Sequence, residues 1–274
     1  MRLTTKIVLS IFLSLFLLSF CFIIGLKFVN KERGSNPPNL SQENMTAVAI
    51  APYRTIRIDE IQKTSDEEYY IVPFGTFRLK PIINTEDGNK LYLPEELLQF
   101  TDISFSGDTL IISLKTDELR DKFFPERETQ SRHHTIYDVY FFMHTNTVDV
   151  ICNLDGIQVE VQNIIADTIR INTGGNIVID SCRANIIEPT MRRNWKSFLL
   201  TNSQVKELNI DLDKTGNSRQ IRNCDIEVEN LTGSGNHRTD LTKNEAKIMN
   251  WIPKDNDAQL TVTLHGDTTQ IVFP

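Results

Sequence analysis

The sequence predicts an all-β protein: an N-terminal transmembrane helix followed by a right-handed parallel β-helix-like body with coils of about 21 residues. Three observations lead there. Residues 7–26 are apolar and carry no charge. From Tyr53 onward, short runs alternate apolar and polar residues between turn-forming clusters. In the second half, one short pattern recurs at a fixed step. Four segments follow: a signal-anchor helix over 1–30, a linker over 31–51, a β region over 52–144 and a parallel β-helix region over 145–274.

The helix comes first. Ile7 to Leu26 holds sixteen apolar residues, three serines and one glycine. As a helix it is about 30 Å long at ~1.5 Å per residue, the thickness of a bilayer core. Four phenylalanines and an all-round apolar surface leave no polar face for a soluble helix. A basic start (Arg2, Lys6) before an apolar run also describes a secretory signal. However, Ser19-Phe20-Cys21-Phe22 and Gly25-Leu26-Lys27-Phe28 place bulky residues beside any cut, and Phe20 is too large to precede a lipidated Cys21. An uncleaved signal anchor is expected, with a cleaved signal or a lipidated Cys21 as the alternatives. Orientation is close to a tie, because Arg2, Lys6 and the α-amine flank one side and Lys27, Lys31 and Arg33 the other. Long domains translocate largely regardless of charge, so export of the body is allowed.

Ser35-Asn36-Pro37-Pro38-Asn39 reads as the linker, since its prolines stop a helix and its polar residues solvate it. Charge divides at the same place. Residues 1–36 carry five cations against Glu32, a net of +4, so the formal −7 of the whole chain leaves −11 for everything after them. An acidic body without a basic face excludes a general nucleic-acid binder. With 40% hydrophobic residues, 24% charged and 12 glycines, the composition is that of an ordinary globular chain.

The first β region contains Thr55-Ile56-Arg57-Ile58, Phe77-Arg78-Leu79, Leu91-Tyr92-Leu93 and Thr109 to Leu114, with turns at Glu86-Asp87-Gly88-Asn89 and Ser106-Gly107-Asp108. Pro94-Glu95-Glu96-Leu97-Leu98 fits one helical turn with proline at its start. A polar, charged stretch from Thr116 to His134 precedes the strand pattern Tyr137 to Phe142.

The second half repeats. Ile179-Asp180-Ser181-Cys182, Leu200-Thr201-Asn202-Ser203 and Ile221-Arg222-Asn223-Cys224 follow one another at equal steps, and a looser copy, Val161-Gln162-Asn163-Ile164, lies one slightly shorter step before the first. One coil cannot bury its own apolar face, so neighbours must stack. Asn163, Ser181, Asn202 and Asn223 then stack at one turn, in a structural role. Cys182 and Cys224 fall two coils apart, roughly 10 Å at ~4.8 Å per coil, too far for a disulfide. Three reduced body cysteines, Cys152 included, are expected. Thr242-Lys243-Asn244-Glu245 fits a capping box opening a short helix to Trp251, and final strands are expected over Leu260–Leu264 and Gln270–Phe273.

On these residues the sequence resembles the bacterial GIN domain family, labelled an auto-transporter adhesin head domain. The resemblance begins at Tyr53 to Ile58, continues through Asp102 to Leu114, and covers the coils Ile164 to Ile171 and Val205 to Leu212. It implies a bacterial envelope protein with a β-helical body and no established catalytic residues. The expected placement is then a single pass through the inner membrane with the C-terminal body in the periplasm. An outer-membrane lipoprotein or a secreted protein is the alternative if the N-terminus is processed.

No residue pattern demands catalysis. Asp211 and Asp213 flank Leu212 on a predicted strand, where period two places both outward, about 7 Å apart. Such a pair serves calcium or a glycosidase, but a solvated acidic face accounts for it as well. His133, His134 and His144 lack any metal-ligand spacing. No G-x-S-x-G turn anchors a hydrolase triad, and Gly233-Ser234-Gly235-Asn236 reads as a surface loop. The distinctive surface candidate is Met191-Arg192-Arg193-Asn194-Trp195-Lys196, a loop after Pro189. Arg192, Arg193 and Lys196 beside Trp195, on an acidic body, suit an anionic partner or a sugar; the alternative is a loop whose Trp packs back on the coil. The function expected is a non-catalytic, membrane-anchored envelope protein presenting an interaction or adhesion-like surface to an envelope protein or glycan. A carbohydrate-active β-helix enzyme and a membrane-tethered sensory or accessory domain are the other readings. No cofactor is expected.

Overall fold

The computed structural model describes residues 44–61, 70–83, 88–123, 133–193, 196–215, 218–241, 246–264 and 270–272. The chain divides into two units between Pro38 and Asn39, and every described residue belongs to the second. The predicted membrane helix over 7–26 lies outside the described residues, as does most of the predicted linker. Among the described residues no helix is long and apolar enough to cross a membrane.

In chain order the first strands are β1 (Met45–Ala49), β2 (Thr55–Ile61), β3 (Tyr70–Lys80) and β4 (Lys90–Pro94), followed by helix α1 (Glu95–Leu98). Then come β5 (Thr101–Ser106), β6 (Thr109–Lys115), helix α2 (Thr116–Phe123), β7 (His133–His144), β8 (Val148–Cys152), β9 (Ile157–Gln162), β10 (Ile165–Thr173) and β11 (Ile177–Asp180). The last are β12 (Arg183–Met191), β13 (Ser197–Thr201), β14 (Gln204–Asp211), β15 (Ser218–Arg222), β16 (Asp225–Gly233), β17 (Asn236–Leu241), β18 (Ala246–Pro253), β19 (Gln259–Leu264) and β20 (Gln270–Val272).

The body is all-β. From β8 to β16 the chain alternates between a ten-stranded sheet, which takes the even-numbered strands, and an eight-stranded sheet, which takes the odd-numbered ones. Each strand pairs in parallel with the strand two places on. The registers carry the steps read from the sequence. Val159 sits beside Ile177 and Ile165 beside Arg183, each one shorter step on. Ile177 sits beside Phe198, Phe198 beside Arg219, and Leu208 beside Glu229, each one full step on. Both final strands occur, β19 pairing β17 in a separate two-stranded sheet and β20 pairing β18.

Both sheets run through residue 144 without a break. Strand β2 pairs in parallel with β8, and β3 with β9. On their other sides lie β6 and β7, also parallel. The chain therefore lays one coil, places the next beneath it, and only then climbs. That end of the stack is closed by antiparallel strands, β5 on β6 and β4 on β7, with β1 on β4. Helix α2 packs Leu119 into this end and brings Phe123 against Phe100 at 6.0 Å between ring centroids.

Two expectations are corrected. Residues 45–49, predicted as linker, form β1, because Met-Thr-Ala-Val-Ala completes the hydrogen-bonding edge of β4. The helix predicted from Thr242 to Trp251 is replaced from Ala246 onward by β18, paired with β16; residues 242–245 lie outside the described set. The ladder that β16 leaves open outweighs a local capping signal, and the in-register position buries Met249 and Trp251. The expected turn at Pro94 is present as α1.

Side chains fill the space between the sheets in columns. Phe77, Val159, Ile177 and Phe198 form one, and Val148, Ile169, Ile187 and Leu208 face it from the other sheet. Both columns change character at the next coil. Arg219 follows Phe198, Glu229 follows Leu208, and the two form an ion pair inside the coil, with side-chain exposures of 12% and 2%.

Candidate functional site

The two edges of the stack differ. On one edge every turn between β9 and β16 has two residues, and the first of each is left-handed: Asn163, Ser181, Asn202 and Asn223, with φ between 51° and 58°. Asparagine tolerates this conformation better than most residues. The predicted stack is therefore real and set by backbone geometry, with Asn223 Nδ2 donating to Asn202 Oδ1 at 3.4 Å and Asn202 Nδ2 to Asp180 Oδ1 at 2.9 Å. Behind each left-handed residue, Ile164, Cys182, Ser203 and the partly exposed Cys224 follow one another. The cysteines of the described residues are all free thiols.

The opposite edge carries the variable connections from β8 to β9, β10 to β11, β12 to β13, β14 to β15, β16 to β17 and β18 to β19. Both sequence-predicted clusters lie here, where a rigid scaffold meets adaptable loops.

The first cluster is cationic. Arg192 leaves the end of β12 and reaches back two coils, donating from Nη2 to the Cys152 carbonyl and from Nη1 to Asn153 Oδ1, both at 2.6 Å. Asn153 in turn donates to Asp59 at 2.5 Å. Arg193 donates from Nε and Nη2 to Asp155 Oδ2 at 3.0 and 2.8 Å. Gly174 makes that carboxylate possible, because a Cβ there would collide with it. Lys196 is only 5% exposed and sits over the Phe74 ring, 5.9 Å from its centroid. Burial pushes its ammonium pKa down, Asp155 opposes that, and Arg193 adds to it. The structure thus gathers Arg192, Arg193 and Lys196 at one corner; Trp195 lies outside the described residues. Phe74 was not anticipated. Its signal lay only in Pro73-Phe74-Gly75 interrupting β3, with the ring held over Gly156 at 3.2 Å from the position of a Cβ.

The second cluster centres on the acidic pair. Asp211 ends β14, but Asp213 lies in the turn beyond it, so the expected strand spacing does not hold. Lys254, from the turn after β18, contacts both: an ion pair with Asp211 Oδ1, and one with Asp213 Oδ2 at 2.8 Å. Asp213 also accepts from the Ser234 backbone at 2.9 Å and from Ser234 Oγ at 2.9 Å, and it meets His237 Nε2 at 2.9 Å. Burial raises its pKa, yet Lys254, Ser234 and His237 together outweigh that and hold it well below the ordinary carboxylate range. Serine and histidine both bind the same carboxylate here. In a nucleophilic triad the histidine stands between them, so this geometry is a clasp between three turns.

His144 Nδ1 lies 2.9 Å from the Pro81 carbonyl, and its ring meets Tyr92 and Phe142 edge-on. On the outer face of the ten-stranded sheet, Asn250 donates to Asn230 and Asn230 to Asn209, both at 2.8 Å, and Asn209 donates to Glu188 at 3.4 Å. This ladder was also missed, although its asparagines are register partners on successive strands. Among the described residues no group of three or more His, Cys, Asp or Glu is placed to hold a metal ion.

No family model matches the chain, and no curated protein matches it. Among solved structures it is similar to a "putative adhesin" from Bacteroides fragilis, at 9% identity and a TM-score of 0.42, covering 85% of this chain and 99% of that one. It is also similar to a "putative adhesin" from Parabacteroides distasonis, at 12% identity and 0.36, covering 84% and 96%. A third, a "putative adhesin" from Parabacteroides merdae, shows 10% identity and 0.33, covering 85% and 98%. Likeness at this level does not extend to the ligand or function of this chain.

Proposed function

We propose that this chain is a non-catalytic, membrane-anchored cell-envelope protein whose right-handed coil stack is held in the periplasm and presents an interaction or adhesion-like surface. The observation that carries the reading is the asymmetry of the two edges. One is built from uniform two-residue turns, and the other from turns of varying length tied to one another across two coils by Arg192 and Lys254. Side chains fixed in this way form a pre-organised surface, which lowers the entropy cost of binding. The uncharged run over 7–26 supports an anchor, and the resemblance of most of residues 53–274 to the GIN domain supports an envelope location. Engagement of Asp211 and Asp213 by Lys254 counts against using them as a catalytic pair.

A protease-accessibility map on intact cells and spheroplasts, with intact-mass analysis of the N-terminus, tests this reading. The expected result is an unprocessed N-terminus and a body protected in intact cells but cleaved in spheroplasts. Cleavage after residue 20 or a lipid mass on Cys21 would replace the signal anchor. A body protected in spheroplasts would overturn export.

A further inference from the structure

We propose that the corner formed by Arg192, Arg193, Lys196 and Phe74 binds an acidic glycan, with uronate carboxylates meeting the guanidinium groups and a pyranose face meeting the aromatic ring. This rests on the display reading above and names a ligand class for it.

Charge is the first argument. Arg193 and Lys196 lie by one carboxylate, Asp155, with Arg192 beside them in the same turn, on a body that nets −11 in all. The corner is therefore a local positive site on an acidic surface, and it selects an anion.

Donor geometry is the second. A guanidinium has five N–H donors in a fixed plane. Arg192 uses one on the Cys152 carbonyl and one on Asn153; Arg193 uses two on Asp155. Those bonds orient both planes and leave further donors on each. The Arg193 side chain is 55% exposed, so solvent and a ligand can reach it. A planar, oriented fork of this kind matches a carboxylate bidentately.

The aromatic ring decides between a sugar and an acidic peptide. Phe74 is 37% exposed at the rim of the cationic group, with the Lys196 ammonium against it. An acidic peptide needs only the charges. A uronic-acid chain needs both, because each unit joins an apolar C–H face to a carboxylate. Phe74 belongs to the β2–β3 coil and Arg193 to a turn three coils further along the stack. The side chains close that distance: Arg192 and Arg193 bond Cys152 and Asp155, and the Lys196 ammonium lies 5.9 Å from the Phe74 ring centroid, so charge and ring share one compact patch.

The test is isothermal calorimetry on the full chain in detergent micelles, with a galacturonic-acid hexamer, neutral maltohexaose and polyglutamate as probes. The hexamer is expected to bind, more weakly as salt is added, and the neutral sugar is not. The Arg192→Gln/Arg193→Gln double variant should lose about tenfold or more in affinity, the equivalent of one charged hydrogen bond. Phe74→Leu, at a partly exposed position, should weaken the hexamer about threefold or more while leaving any polyglutamate binding unchanged. Absence of hexamer binding, equal binding of maltohexaose, or insensitivity to both variants would overturn the proposal. Polyglutamate binding as tight as the hexamer would assign the corner to an acidic protein instead. An exported body that ignores the hexamer overturns this inference alone, whereas a body retained inside overturns the display reading.

Discussion

Removing Arg219 from the coil interior should be among the most damaging single changes in the body. Its partner Glu229 is 2% exposed, between Leu208 and Met249 in the column. Burial raises the Glu229 pKa, with Arg219 opposing the rise. Arg219→Met therefore leaves a carboxylate in an apolar interior without its counter-charge, a change that costs about 3–5 kcal/mol. For a body of this size the melting temperature should fall by roughly 6–20 °C. Arg219→Met/Glu229→Leu restores the apolar pattern of the preceding coils, and it should come within about 1 kcal/mol of wild type or exceed it. The pH dependence has a definite sign. A carboxyl whose folded pKa lies above its unfolded value of about 4.5 favours the fold below that pH, and the contribution is lost as pH rises through the folded value. The penalty of Arg219→Met should therefore grow from pH 4.5 to pH 7.5. Thermal and urea melts of both variants at the two pH values provide the assay. A single variant costing no more than about 1 kcal/mol, or a double variant at least as damaged as the single, would refute the interior ion pair.

Three further outcomes are expected. Asn202→Ala should cost about 1–2 kcal/mol in a urea melt, since alanine resists the φ of 51° and loses the bond to Asp180, whereas Asn202→Gly should cost less. Asp213 has its pKa lowered by its partners, so its contribution is present above about pH 4 and lost as pH falls through the depressed value; the stability gap to Asp213→Asn, measured in acid titrations, should be open at pH 6 and shrink below pH 4. Burial raises Cys152 and Cys182 to about 11 each. With iodoacetamide at pH 8, peptide mass mapping should therefore find that, of the three body cysteines, Cys224 is modified first and the other two only on unfolding.

The second half was legible because each coil adds a nearly constant length. Asn163, Ser181, Asn202 and Asn223 mark the same left-handed turn, so their steps in sequence are the hydrogen-bond registers. The first half hid its coils because they stack out of chain order. Phe77 of β3 meets Val159 of the much later β9, and β6 and β7 lie beneath strands that precede them. The cationic corner was legible as composition but not as contacts, since Asp155 and Arg193 come from turns two coils apart. Asp211 and Asp213 were found as a pair, but Lys254 and His237 arrive from later coils. The interior ion pair was visible in principle. Applying the repeat step to Phe198 and Leu208 leads to Arg219 and Glu229, but each sits in a strand with other charged residues and reads locally as solvated.

Display of the variable-turn edge outside the cytoplasm is tested most directly by labelling with a membrane-impermeant maleimide. The chain would carry Lys214→Cys on that edge together with Cys224→Ser. Export predicts strong modification of residue 214 in spheroplasts, at a level that lysis does not raise. Modification that occurs only after lysis would contradict it.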